Sequence, residues 1–268
     1  MLRSLPPLCL VLLLTACAKE REAAPATLDD MVHELFRTWE EPESFTSAAD
    51  ALAAWMVVEG RTDIAWEGLR LTNLTQEDIA TVSLVEGEDL SSHVGIANAA
   101  ASAWPLAQHA PAVTEPDQVW NDTSSFDLYA RTILEGNAST FGSGEGLIRT
   151  TNDVIKNGAL GVTIPYTLRK DYRWTQTSDQ RAMFVGRFWI DTPGCSDNGN
   201  NCVYQTFGID VFVEDGDETL RLLTNWLYVV TQADGLLTED ARIGLIATGN
   251  QDLILGADAE LEARATGE

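Results

Sequence analysis

The chain predicts an α+β fold: helices first, a five-stranded antiparallel meander from about residue 146, and a helix last. Three observations carry this. Apolar residues recur at helical spacing between Thr27 and Gly60. From Gly146 to Thr231, strand-like runs alternate with turn chemistry. Thr238-Glu239-Asp240 is a helix-start signature close to the C-terminal end.

The first helix is expected in "TLDDMVHELFRTWEE". Thr27 can cap it, Asp29 and Asp30 suit its first turn, and Met31, Leu35 and Trp39 fall on one face. The second is expected in "TSAADALAAWMVVEG", capped by Thr46 and ended by Gly60. From 61 to 145 the pattern weakens. "IAWEGLRL" alternates like a strand, and "TQEDIATVSLV" opens a helix at Thr75. "DLSSHVGIANAAASAW" reads as a helix ending before Pro105, and "SSFDLYARTILEG" as a short helix ended by Gly136. Asn157-Gly158 then sits between two strand-like runs, the strongest short signal for a hairpin because both turn positions need positive φ. On the return strand Val162, Ile164, Tyr166, Leu168, Tyr172 and Trp174 share one parity. Thr163, Thr167, Arg169, Asp171 and Arg173 share the other, so one face is buried. Pro165 implies an edge or a bulge. "RAMFVGRFWID", "VYQTFGIDVFVE" and "TLRLLTNWLYVVT" complete the meander; the last is apolar on both faces and calls for cover on both sides. Gly249-Asn250 is expected to interrupt the final helix, which "DLILGADAELEARA" resumes.

This order of elements resembles helix-grip folds, and also the cone-shaped sheets of the nuclear-transport-factor type. The similarity lies in topology alone. It implies a sheet curled about the last helix with a cavity between them, and it fixes no function.

The N-terminus carries an address. Arg3 precedes a seven-residue apolar run, Leu8 to Leu14, far shorter than the roughly 20 residues a membrane-spanning helix needs. The run ends in Leu14-Thr15-Ala16-Cys17, which resembles the lipobox of bacterial lipoproteins. The resemblance implies a signal peptide over 1–16, lipidation of Cys17, and a membrane anchor made of acyl chains. Ala18 in place of Asp favours the outer membrane, with the protein facing the periplasm or the exterior. Residues 17–26 form a charged, alanine-rich tether, and 27–268 a single α+β domain.

The formal net charge of −24 would repel phosphate backbones, so nucleic-acid binding is excluded as a reading. It would also repel anionic headgroups, so the membrane contact is assigned to the lipid. With 45% apolar residues the chain has material for a core. Cys9 leaves with the leader and Cys17 is lipidated, which leaves Cys195 and Cys202 to pair across "SDNGNN" in an oxidising compartment. A loop that short stabilises by roughly 2 kcal/mol on the chain-entropy estimate.

No catalytic signature emerges. "HELFR" at His33 has Arg37 where a zinc-protease helix needs a second histidine, so His33 reads as a solvated helix residue. "GSGEG" lacks dinucleotide-loop spacing, no nucleophile elbow occurs, and "EDGDET" is simply a turn. No metal site and no cofactor are called. The candidate pocket consists of Tyr166, Arg169, Tyr172, Trp174, Phe188 and Trp226, aromatic residues on the meander with a cation among them. The chain thus reads as an envelope lipoprotein with a non-catalytic binding or accessory role, its partner an apolar small molecule or an envelope protein. Two other readings stay open: a scaffold working through its surface, and an enzyme whose site is assembled from scattered residues.

Overall fold

A computed structural model describes residues 26–58, 68–157, 162–232 and 238–267. The leader, Cys17, the tether to residue 25, Gly60 and the hairpin residue Gly158 lie outside the described residues. Helices α1 (Ala26–Arg37) and α2 (Pro42–Val58) come first. Nine strands follow: β1 (Leu69–Leu71), β2 (Val94–Ser102), β3 (Phe126–Glu135), β4 (Leu147–Asn157), β5 (Thr163–Gln176), β6 (Ala182–Ile190), β7 (Gly194–Cys195), β8 (Cys202–Asp215) and β9 (Glu218–Val230). Short helices α3 (Leu106–Ala112) and α4 (Ala138–Gly142) sit between strands, and the long α5 (Glu239–Thr266) closes the chain.

All pairings are antiparallel, in the order β1-β2-β9-β8-β6-β5-β4-β3, with β7 beside β8. The expected meander, β4-β5-β6-β8-β9, is the middle of this sheet, but the sheet has nine strands among the described residues, not five. Cys195 and Cys202 face one another across the β7–β8 pair and are joined by a disulfide.

Of the four additional strands, β1 lies in the run read as a strand, β7 in the cysteine loop, and β2 and β3 in segments read as helical. "VGIANAAAS" is β2, because its full length pairs with β9, from Val94 opposite Leu227 to Ser102 opposite Thr219. Ladder bonds and packing on both faces outweigh alanine's helix preference there. Ala97 and Ala99 face the α1/α2 side, and Ile96 packs on Ile243 and Ala247 of α5. "FDLYARTILE" is β3, also not a helix. Its register against β4 slips between Phe126 and Leu128 and again between Ile133 and Glu135, which erases the two-residue alternation that marks a strand. At Thr75 there is a turn instead of a helix, held by Asp78 Oδ2, which accepts from Thr75 N at 2.7 Å. Helix α2 begins at Pro42, ahead of Thr46, with proline where the lost N–H matters least. Pro165 faces Ile155 of β4 on the part of β5 beyond its β6 pairing, which starts at Leu168.

Both faces of the sheet are covered. On one, α1, α2 and the turn between them pack Phe36, Trp39, Phe45 and Leu52 against Phe207, Ile209, Val211 and Trp226. Two meander arginines, Arg173 and Arg187, belong to this side. Arg187 is buried, donates to Glu40 at 2.8 Å and Asp171 at 3.3 Å, and lies over Trp39. Arg173 stacks on Trp39 and Phe45. His33 is docked rather than solvated: Nδ1 is 3.1 Å from Asp78 Oδ2. Burial opposes its charge, but Asp78, Asp29 and the Thr72 carbonyl together hold its pKa above the ordinary value.

On the other face α5 runs unbroken through Gly249-Asn250. Asn250 is buried there and donates from Nδ2 to Asn98 Oδ1 of β2 at 3.2 Å, a tertiary contact that offsets the weak local preference. Thr238 caps the helix through Ala241 N. Near its middle, α5 passes so close to the turn at Val119–Asp122 that a Cβ on Gly256 would collide with the Asn121 carbonyl. A Gly256→Ala variant should therefore lose about 1–3 kcal/mol in chemical denaturation, the range for overpacking, despite alanine's better helix propensity. A gain in stability would show that α5 does not press on that turn.

Candidate functional site

Between the sheet and α5 lies a cavity of about 360 Å³. Every strand from β3 to β9 except the two-residue β7 contributes lining, and so does α5. The β5 parity read from sequence supplies Ile164, Tyr166, Leu168 and Tyr172, and Lys170 falls on the same face. Phe188 from β6, Leu223 and Leu227 from β9 and Leu253 from α5 add apolar wall. Gly208 on β8 makes room for the Phe188 ring, which a Cβ would strike. The inner end is plugged by aromatic packing: Phe184 stacks on Phe212 at 4.3 Å, with Phe141 and Tyr172 behind. Exposed lining residues Ser92, Arg242 and Leu245 mark the mouth.

Of the six residues singled out in the sequence, Tyr166, Tyr172 and Phe188 line this cavity. Trp174 faces the same side but belongs to the plug, where Nε1 donates to the Phe141 carbonyl at 2.8 Å. Arg169 and Trp226 lie on the opposite face. Arg169 pairs with Asp191 at 2.8 Å, and Trp226 packs against Phe36 and donates to the Thr72 carbonyl at 2.7 Å. Arg169 follows from parity, since odd and even β5 residues face apart. Trp226 does not, because both faces of β9 are buried and alternation carries no polarity signal.

The charged lining was not legible in sequence. It comprises Lys156, Lys170, Arg221 and Arg242, with Asp210 as the single acid among the described lining residues. Lys170 Nζ meets Asp210 Oδ2 at 3.1 Å and lies over the Tyr172 and Phe188 rings at 5.0 and 5.3 Å. Burial works against the ammonium, but Tyr172 and Asp210 together hold its pKa above the ordinary lysine value. Burial lowers the Lys156 pKa, against the pull of Asp122 and Asp252. Arg221 is 4% exposed; its Nη1 donates to the Ile254 carbonyl at 2.9 Å, and its guanidinium covers the Phe212 ring at 4.5 Å.

Beside Arg221, Ser102, His109 and Asp258 form a chain. Ser102 Oγ donates to Asp258 Oδ1 at 2.7 Å and lies 3.0 Å from His109 Nε2. Burial and the Arg221 charge push the His109 pKa down to about 3, so the imidazole is neutral. Ser102 Oγ also accepts from the Trp104 backbone N–H at 3.2 Å, so the hydroxyl is held from three sides. The chain is a buried polar bridge between β2, α3 and α5. No group of three or more potential metal-ligating side chains occurs among the described residues, and no described helix is long and apolar enough to cross a membrane.

Removing Asp210 strands the Lys170 ammonium in this apolar wall. Asp210→Ala should cost about 3–5 kcal/mol in a denaturation titration, whereas Lys170→Met/Asp210→Leu should recover most of it. Equal losses in the single and double variants would show that the pair is not coupled.

No family model matches the chain, and no curated protein matches it. Solved structures with a similar course include a STAR-related lipid transfer protein fragment from Xanthomonas axonopodis (8% identity, TM-score 0.44, covering 67% of this chain and 90% of that one). The Zhui aromatase/cyclase from Streptomyces sp. R1128 aligns at 12% identity and TM-score 0.39, over 64% and 94% of the two chains. The protein TTHA0849 from Thermus thermophilus aligns at 13% and 0.40, over 63% and 98%. At these values the similarities say nothing of this chain's ligand or activity.

Proposed function

We propose that this chain is a lipid-anchored envelope protein whose folded body holds an apolar small molecule between sheet and C-terminal helix, in an arrangement of the helix-grip type. The cavity carries the reading. Its volume of about 360 Å³ falls within the range of about 300–1,000 Å³ typical of small-molecule sites. Its wall is mainly aliphatic and aromatic with a few placed polar groups, the composition such sites share. Close packing normally leaves few voids larger than a water molecule, so a space this large beside a complete second core on the other face is a feature of the fold rather than loose packing.

The neutral dye N-phenyl-1-naphthylamine should brighten on binding to a Cys17→Ser variant of the full chain, which removes the acceptor thiol and hence the acyl chains. Adding Leu168→Trp, which fills the cavity from β5, should weaken the enhancement about ten-fold or more while leaving the far-ultraviolet circular dichroism unchanged. A dye response that Leu168→Trp leaves intact would place the binding elsewhere and sink the reading.

The anchor rests on Leu14-Thr15-Ala16-Cys17 and on acyl chains that contribute about 0.8 kcal/mol per buried methylene. In a bacterial host the wild-type chain should partition into the detergent phase on cloud-point separation and the Cys17→Ser variant into the aqueous phase. Identical partitioning of the two would overturn lipidation at Cys17.

A further inference from the structure

The charges around the cavity invert those of the whole chain. The sequence has 41 acidic residues against 17 lysines and arginines. The cavity wall has four cations and one acid among its described residues. Of these four, Lys156 and Lys170 are only partly buried, Arg242 is exposed, and Arg221 is 4% exposed. A buried charge is costly unless it is paired and its hydrogen bonds are made. Lys170 meets that condition through Asp210. Arg221 does not: one nitrogen donates to a neutral backbone carbonyl, its Nε has no partner, and none of its hydrogen bonds among the described residues reaches a carboxylate. Asp258, close enough to feel the Arg221 charge, is hydrogen-bonded by Ser102, and burial raises its pKa. His109, also on the wall, is neutral and adds no negative charge.

Resting on the reading of the cavity as a ligand site, we propose that its occupant is an anionic amphiphile of the single-chain carboxylic acid class, bound with its carboxylate at Arg221 and its apolar tail directed to the mouth. A carboxylate there completes the guanidinium with charge-assisted hydrogen bonds, which a neutral head cannot supply. The tail's path follows from the wall. Along β9, Arg221 at the inner end is succeeded on the same face by Leu223, then Asn225, Leu227 and Val229, and exposed Leu245 stands at the mouth. The volume, near the lower end of the range for small-molecule sites, suits one chain better than a two-chain lipid. The orientation places the charged end inside and the greasy end out, the reverse of a lipid lying in a membrane.

The test titrates the full chain, in an uncharged maltoside detergent, with laurate, dodecanol and dodecylamine, reading one-to-one adducts by native mass spectrometry. Laurate should bind about ten-fold or more tightly than dodecanol, and dodecylamine weakest of the three. Arg221→Gln should erase the preference for laurate over dodecanol while keeping dodecanol binding, which also shows that the variant is folded. Arg221→Lys, which keeps the charge but loses the fork, should retain part of it. Equal binding of laurate and dodecanol by the wild type overturns the anionic reading and leaves the cavity reading standing. A preference that survives Arg221→Gln but falls with Lys170→Met overturns Arg221 as the anchor. No adduct with any of the three overturns the cavity reading and this one with it.

Discussion

The ladder between β2 and β9 holds the two halves of the chain together. Nine consecutive residues of β2 pair with β9, and through that pairing β1 and β2 extend a sheet that would otherwise end at β9. Because β9 becomes an interior strand, both its faces need cover, and the two helical groups supply it. Leu220, Leu222 and Trp226 meet the N-terminal helices, while Leu223 meets the layer containing Ile254 of α5. Helix α5 in turn depends on β2, whose Ile96, Asn98 and Ser102 form the track for Ile243, Asn250 and Asp258. The cavity is what remains between that track and the far limb of the sheet, so its existence follows from where β2 is attached.

The two faces solve the problem of buried charge differently. Against α1 and α2, Arg187 donates to two carboxylates, Glu40 and Asp171, and lies between two tryptophans. In the cavity, Lys170 and Asp210 match one another but Arg221 is left with a backbone carbonyl and a ring face. The first arrangement is what a structural core requires. In the second, no hydrogen bond of the guanidinium reaches a carboxylate among the described residues.

Much of the meander was legible because β4, β5, β6, β8 and β9 are long, follow one another, and are divided by turn residues such as Gly216 at φ 70°. The disulfide followed from an even pair of cysteines flanking a turn. What the sequence hid has physical causes. In β2 the small residues that allow close approach of helices on both faces are also good helix formers, and the deciding factor, pairing with β9, is remote in the chain. In β3 two register slips remove the periodicity. At the site, Tyr166 and Tyr172 carried a signal because β5 alternates, and Phe188 because it is an aromatic on an apolar strand. Arg221 carried none, since a lone arginine in an apolar strand looks like any residue that turns to solvent until the strand is known to be interior.

The same attachment of β2 to β9 sets the order in which the molecule can be made. Ser102 must find Thr219, and Val94 must find Leu227, across more than a hundred intervening residues. Contacts of such separation slow folding because the loop they close must be ordered before they contribute. A ribosome releases residue 94 long before residue 227, so the β2–β9 ladder cannot form until then, and the long helix that covers it arrives later still. The cavity, walled in part by β9 and α5, cannot be complete before the C-terminal helix has been delivered.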